Sequence, residues 1–203
     1  EHERHHAILD AAARLLRRAP DRVASVAEVA DEAGLAKGTV YLYFPAKEAL
    51  LLALHERNVG QFFDALTDRL QGAGPVTIDG VLTVIRKHMV EPPLFLPLAS
   101  RCFGTVQQSV DATVAQGFRE RMAVRLEQAG AGLERHFMTL PPGGGVVLLR
   151  HSYALILGLW QMSPSSGAAG KDVRDAPSIL RFAYPADLDR ALTALWRGTL
   201  AAP

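Results

Sequence analysis

An all-α chain is predicted by three observations. Apolar residues recur at spacings of three and four along most of the 203 residues; clusters such as Gly72-Ala-Gly-Pro75 and Pro141-Pro-Gly-Gly-Gly145 separate those stretches; and nothing reads clearly as a sheet. The pattern gives about nine helices, in an N-terminal group over residues 1–50 and a larger helical region over 51–203.

Ile8, Leu9, Ala12, Leu15 and Leu16 share one helical face, so His5 to Arg18 forms a first amphipathic helix that Pro20-Asp21 stops. Ser25-Val-Ala-Glu28 has the form of a capping box, with Ser25 satisfying an amide at the helix start and Glu28 reaching back to the cap. A second helix runs from there to Ala33. Gly34 suits a left-handed cap, Leu35 is an apolar anchor, and a short third helix covers Lys37 to Tyr43, ended by Pro45, which disfavours helical geometry at Phe44. Leu50, Leu51, Leu54, Phe62, Leu66 and Leu70 then mark one long helix from Lys47 to about Gln71.

Residues 76–91 are rich in Val, Ile and Thr and are locally ambiguous; helix is the assignment. Pro92-Pro93 and Pro97 punctuate a short segment. Val114, Phe118, Met122, Leu126, Ala129, Leu133 and Phe137 predict a long amphipathic helix, 145–162 an apolar one, 163–170 the start of a flexible loop, and Asp187 to Leu200 the last helix.

Composition sets broad bounds. With 49% hydrophobic and 21% charged residues the chain can bury a sizeable core. The single cysteine, Cys102, rules out an internal disulfide framework and fits a reducing compartment, and the charged N-terminus lacks the features of a secretory signal, so cytoplasm is expected. The most apolar run, Val146 to Met162, is short for a membrane span and contains Arg150 and His151, so no membrane association is expected. Net charge is only +1, and residues 1–60 hold eight Lys/Arg against nine Asp/Glu, so any affinity for nucleic acid must come from local charge.

That local charge has a place. Two short helices joined by a glycine-containing turn, with another helix packed behind, form a helix-turn-helix, which sets its second helix into the DNA major groove. From Ala33 to Lys47 there is no carboxylate, and Lys37 and Lys47 flank a run of hydroxyls.

Residues 5–55, above all SVAEVADEAGLAKGTVYLYFPAKEALL, resemble the DNA-binding domain of TetR-type (TetR/AcrR) transcriptional repressors. The resemblance covers about a quarter of the chain on a highly specific motif, and it implies residue roles. Thr39, Tyr43 and Lys47 would contact phosphates, with Ser25 adding its helix-start amide. Lys37, Tyr41 and Leu42 would meet bases, and Gly38 would let the backbone approach the groove, while Val40 and Phe44 hold the helix to its domain. Ala36 departs from the family's usual Ser, which removes a cap and one phosphate contact.

The family's C-terminal domain holds a small-molecule pocket and pairs its last two helices with a second subunit. Carried over, the partners are a double-stranded DNA operator, an unidentified small and largely apolar effector, and a second copy of the chain; no cofactor is implied. Pocket candidates are His88, Phe95, Cys102, Phe103, Phe118, Met122, His151 and Trp160. Interface candidates are Ala154, Leu155, Gly158, Leu159, Leu192, Leu195 and Trp196, with an intramolecular core as the alternative. The expected function is a ligand-responsive repressor and not an enzyme; a carrier or enzyme with a vestigial helix-turn-helix is the rival. His2, Glu3, His5 and His6 read as a mobile arm near DNA rather than a metal site, and Gly143-Gly-Gly145 lacks the lysine of a phosphate-binding loop.

Overall fold

The computed structural model describes residues 2–20, 22–102, 110–163 and 177–201, with backbone alone for Leu180. Among them are nine α-helices and no strand: α1 His2–Arg18, α2 Val26–Ala33, α3 Lys37–Tyr43, α4 Lys47–Gln71, α5 Ile78–Ile85, α6 Phe95–Arg101, α7 Ala112–His136, α8 Gly144–Gln161 and α9 Ala186–Leu200. The chain divides into two compact units, Glu1–Val59 with Pro93–Arg119, and Gly60–Pro92 with Glu120–Pro203.

In the first unit, Ile8, Leu9, Ala12 and Leu16 of α1 enter one core with Val26, Val29 and Ala30 of α2. Val40 and Phe44 at α3, Leu50, Leu51 and Leu54 of α4, and Leu94, Leu98 and Cys102 around α6 complete it. Charged pairs brace the outside: Arg14 and Arg18 of α1 each reach the Glu32 carboxylate of α2 at 2.7 Å, and Arg57 of α4 meets Asp10 of α1 at 2.7 Å. Two guanidinium hydrogen bonds, from Arg14 first and then Arg18, hold Glu32 below the ordinary carboxylate range.

The N-terminal residues correct an expectation. His2 to His6 belong to α1 rather than to a mobile arm, and the His5 ring packs 5.1 Å from Phe44 and 6.3 Å from Tyr43, centroid to centroid. No group of three metal-ligating side chains is found among the described residues.

In the second unit, Gly130 of α7 and Gly145 of α8 pass so closely that a side chain at Gly145 would sit 2.2 Å from the Gly130 carbonyl oxygen. Leu148, Leu149, Ile156, Leu157 and Trp160 of α8 are buried, as are Leu188, Leu192 and Trp196 of α9. The Trp196 indole donates to Ser152 Oγ at 2.9 Å, and Ser152 in turn donates to the Leu148 carbonyl at 2.8 Å, so the buried polar groups at this crossing are satisfied. His136 Nε2 donates to the Leu70 carbonyl at 2.8 Å, joining α7 to the end of α4.

Two segments differ from the sequence pattern. The predicted helix over 76–91 is α only to Ile85; Arg86–Val90 widens into a π turn, with Glu91 N bonded to the Arg86 carbonyl. The segment after Pro92-Pro93 is a helix, α6, because Pro97 lies in its first turn, where an amide has no intrahelical partner to lose. No helix among the described residues is long and apolar enough to cross a membrane.

Candidate nucleic-acid interface

The approach to α3 is fixed by local chemistry. Ser25 Oγ accepts from Glu28 N at 3.2 Å, and the Glu28 carboxylate accepts from Ser25 N at 2.8 Å and Ser25 Oγ at 2.9 Å. Glu28 also pairs with Arg22 at 2.7 Å, and this partner, together with the Ser25 bonds, brings its carboxyl down to about 2. Both polar groups of Ser25 are therefore occupied. A phosphate at the start of α2 would have to displace a carboxylate, so Ser25 acts here as a helix cap rather than as a free anion contact.

Gly34 ends α2 at φ 66°, with its amide on Asp31 O and the Leu35 amide on Ala30 O. A Cβ at Gly34 would meet nothing within 4 Å, so a substitution is penalised by backbone conformation alone. Gly34→Ala is expected to lower stability by roughly 1–2 kcal/mol in chemical denaturation, the penalty of a non-glycine residue in the left-handed region.

Ala36 has the extended geometry of an N-cap, φ −65° and ψ 141°, and makes no side-chain cap bond. Ala36→Ser should therefore supply the missing cap and raise stability by about 1 kcal/mol, readable as a higher urea midpoint.

On α3 the side chains divide into two faces. Val40 is fully buried and Phe44 nearly so. Lys37, Gly38, Tyr41 and Leu42 are exposed, Leu42 by 86% and Tyr41 by 50%, while Thr39 and Tyr43 are half-buried. A Cβ at Gly38 would also meet nothing within 4 Å, so packing does not demand this glycine, although a glycine inside a helix costs roughly 0.5–1 kcal/mol relative to alanine. Lys47 is exposed at the start of α4; its 3.9 Å approach to Glu48 is too weak an ion pair to hold it from another anion. With Glu32 engaged by two arginines, the surface from Lys37 to Lys47 carries two lysines and hydroxyls, with only the weak Lys47–Glu48 pair set against them among the described residues.

The pocket candidates fall in both units. Phe95 and Cys102 are buried in the first unit, where Phe118 is half-buried. Phe95 and Phe118 converge on a residue outside the expected set, His55 of α4, whose ring lies 5.7 Å from Phe95 and 6.4 Å from Phe118. His55 sits on the leucine stripe one turn after Leu51, and a histidine on an apolar face was the available signal. Burial lowers its pKa to about 4, and its Nδ1 has no hydrogen-bond partner among the described residues. The Cys102 thiol lies 3.9 Å from the Leu51 carbonyl, and burial pushes it up to about 12, which makes it an unreactive core group.

His88, Met122, His151 and Trp160 belong to the second unit. His88 and Met122 are half-buried and Trp160 is buried; His151 is exposed and borders a surface groove of about 430 Å³ with Leu140, Val147 and Thr199. Phe103 lies outside the described residues, as do 164–176 of the expected loop.

The interface candidates also divide. Trp196 is fully buried and Leu192 nearly so within the chain, which leaves them no surface for a second copy; the Trp196 indole bonds Ser152 of α8 and packs near Phe137. Leu155, Gly158, Leu159 and Leu195 are half-buried and Ala154 is exposed. Val147 and Met162 of the same region face outward as well, and Arg150, His151 and Gln161 are exposed among them, so the outward face of α8 is mixed rather than purely apolar.

A helix-turn-helix with a buried anchor and an exposed lysine, hydroxyl and apolar row defines a DNA-binding regulator class. Family comparison is specific: the model for bacterial regulatory proteins of the tetR family matches residues 8–54, and that for the tetracyclin repressor-like C-terminal domain matches 56–203. The chain belongs to the tetR family of bacterial regulatory proteins.

Among relatives, it is 32% identical over 81 residues to the fatty acid metabolism regulator protein of Bacillus subtilis, covering 40% of this chain and 41% of that one. It is 46% identical over 59 residues to the HTH-type transcriptional regulator EthR of Mycobacterium tuberculosis, covering 29% and 27%. The alignments thus span less than half of either relative. Two solved structures share the fold: the fatty acid degradation regulator FadR of Bacillus halodurans, with TM-score 0.58, 20% identity and 98% of both chains covered, and a transcriptional regulator of Streptomyces coelicolor A3(2), with TM-score 0.52, 19% identity and coverage of 95% and 98%.

Proposed function

We propose that the protein is a cytoplasmic, homodimeric repressor that binds a palindromic operator and is released from it by a small, largely apolar effector. Residues 1–50 form the reading head and 51–203 the ligand-binding and dimerisation domain. The observation that carries this reading is the outward row of α3, where an exposed Leu42 and an unpacked Gly38 serve no purpose in the fold itself. Lys37, Tyr41 and Leu42 meet base edges, a lysine donating to guanine acceptors and an apolar face meeting a thymine methyl; Thr39, Tyr43 and Lys47 hold phosphates.

The small and apolar residues left partly exposed on α8, Ala154, Leu155, Gly158 and Leu159, with Leu195 from α9, support pairing with a second copy across a face that also carries Arg150 and His151. Two reading helices then enter successive major grooves about 34 Å apart. The fatty-acid regulators among its relatives support an apolar effector. Release follows from differential affinity of effector for two conformations, transmitted through α4, which is covalently continuous with the reading head.

A mobility shift with duplexes flanking the protein's own gene, run at two salt concentrations, tests the reading. Sequence-dependent binding that weakens steeply with salt is expected; equal, weak retention of every duplex would refute it.

A further inference from the structure

We propose that His55 is the polar anchor of the effector site, and that the effector is an apolar molecule bearing one uncharged hydrogen-bonding group, a carbonyl or a hydroxyl. The inference rests on the ligand-responsive reading above and gives that ligand a chemical class.

His55 is 4% exposed, on α4. Phe95 of α6 meets its ring edge-on at 63°, and Phe118 of α7 lies tilted at 38°. Leu51, Leu54, Leu98 and Cys102 are buried in the core of the same unit. Within this apolar setting Nδ1 is buried and unpartnered among the described residues. A buried polar atom without a partner is destabilising, and leucine, which occupies the neighbouring positions of α4, would avoid the penalty. A neutral imidazole nitrogen can donate to a carbonyl or accept from a hydroxyl, so a ligand supplies the missing bond in either case.

The surroundings also select against ions. Burial disfavours the cationic form of His55 itself, and the same environment disfavours an ammonium group brought beside it. The same burial disfavours a carboxylate, which would lose its hydration in this apolar setting. An uncharged head on an apolar body is the remaining match. His55 and the reading helix α3 belong to one compact unit, so a ligand held by His55 acts within the body that carries the reading head.

The test is calorimetric titration of the full chain at pH 7.5 with four probes of equal chain length: 1-decanol, methyl decanoate, decanoate and decylammonium. The alcohol and the ester are expected to bind, and the two ions to bind at least about tenfold more weakly, the equivalent of one lost hydrogen bond. His55→Leu should weaken the alcohol and ester by at least about tenfold, and His55→Asn, which keeps a hydrogen-bonding group, should recover part of the loss. In nitrogen-15 spectra of histidine-labelled wild type, the His55 Nδ1 resonance should move on addition of 1-decanol. Unchanged affinity in His55→Leu, tighter binding of either ion, an unmoved Nδ1 resonance, or no binding of any probe to wild type would each overturn the proposal. No DNA is present in these measurements, so their failure leaves the regulator reading standing, whereas a wild type that binds the alcohol but no operator counts against the regulator reading alone.

Discussion

His55→Leu is expected to make the protein more stable and to abolish a loss of stability in mild acid. The two side chains are similar in volume, and the substitution removes a buried nitrogen that has no partner among the described residues, a gain of about 1–3 kcal/mol at neutral pH. The acid effect follows from proton linkage. Burial puts the folded-state pKa of His55 at about 4, below its ordinary value of 6.5, so between those values the unfolded chain binds more protons than the folded one. Stability therefore rises with pH through this window: the penalty is absent above about 6.5 and fully developed below about 4, where it reaches on the order of 3 kcal/mol. Urea denaturation of wild type and variant at pH 7.5, 5.5 and 4.5 reads the difference. The two curves should diverge as pH falls; parallel curves would show that His55 is not the responsible group. A residue that lowers stability where leucine would raise it is the pattern of a functional position rather than a packing one.

Substitutions along α3 should split into two kinds of defect. Lys47→Ala removes an exposed side chain whose ion pair, to Glu48, is long at 3.9 Å, so it should leave the fold intact and weaken binding to all duplexes alike. It should also reduce the salt slope by about one per subunit. Tyr43→Phe should also weaken all duplexes alike but leave the salt slope unchanged, since it deletes an uncharged hydroxyl while keeping the ring that packs against His5. Lys37→Ala should instead relax preference at one base position in each half-site, with a loss of about 1–3 kcal/mol on the preferred sequence. Anisotropy titrations against matched and scrambled duplexes separate the two classes. Equal behaviour of Lys37→Ala and Lys47→Ala would contradict the division of roles.

The N-terminal helices were legible because their boundaries are set by neighbouring residues. The Ser25–Glu28 box, Gly34 at positive φ and Pro45 each act within a turn, and α2, α3 and α4 begin and end where those signals put them. Val40 and Phe44 as the inward pair were legible through the family resemblance, and both are buried. Position-dependent effects were less so. Pro97 reads as a breaker until its place in a first turn is known, and the π turn at Arg86–Val90 leaves no mark in apolar spacing.

The site residues that escaped the sequence were those defined by distant partners. An apolar helix such as α8 does not disclose which side meets its own chain, so Trp196 and Leu192 looked as available as Leu155 until the Trp196–Ser152 bond and their burial placed them inside. His55 fell within a leucine stripe, and its meaning depends on Phe95 and Phe118, which lie 40 and 63 residues further along the chain.

Selection of duplexes from a randomised library by the wild-type chain, followed by sequencing, tests whether the protein reads a palindromic operator as a pair of chains. The expected result is enrichment of an inverted repeat whose half-site centres are separated by about one helical turn, ~10 base pairs, or a multiple of it, with two chains bound per duplex. A library that emerges unenriched, or a single unpaired site bound by one chain, would contradict it.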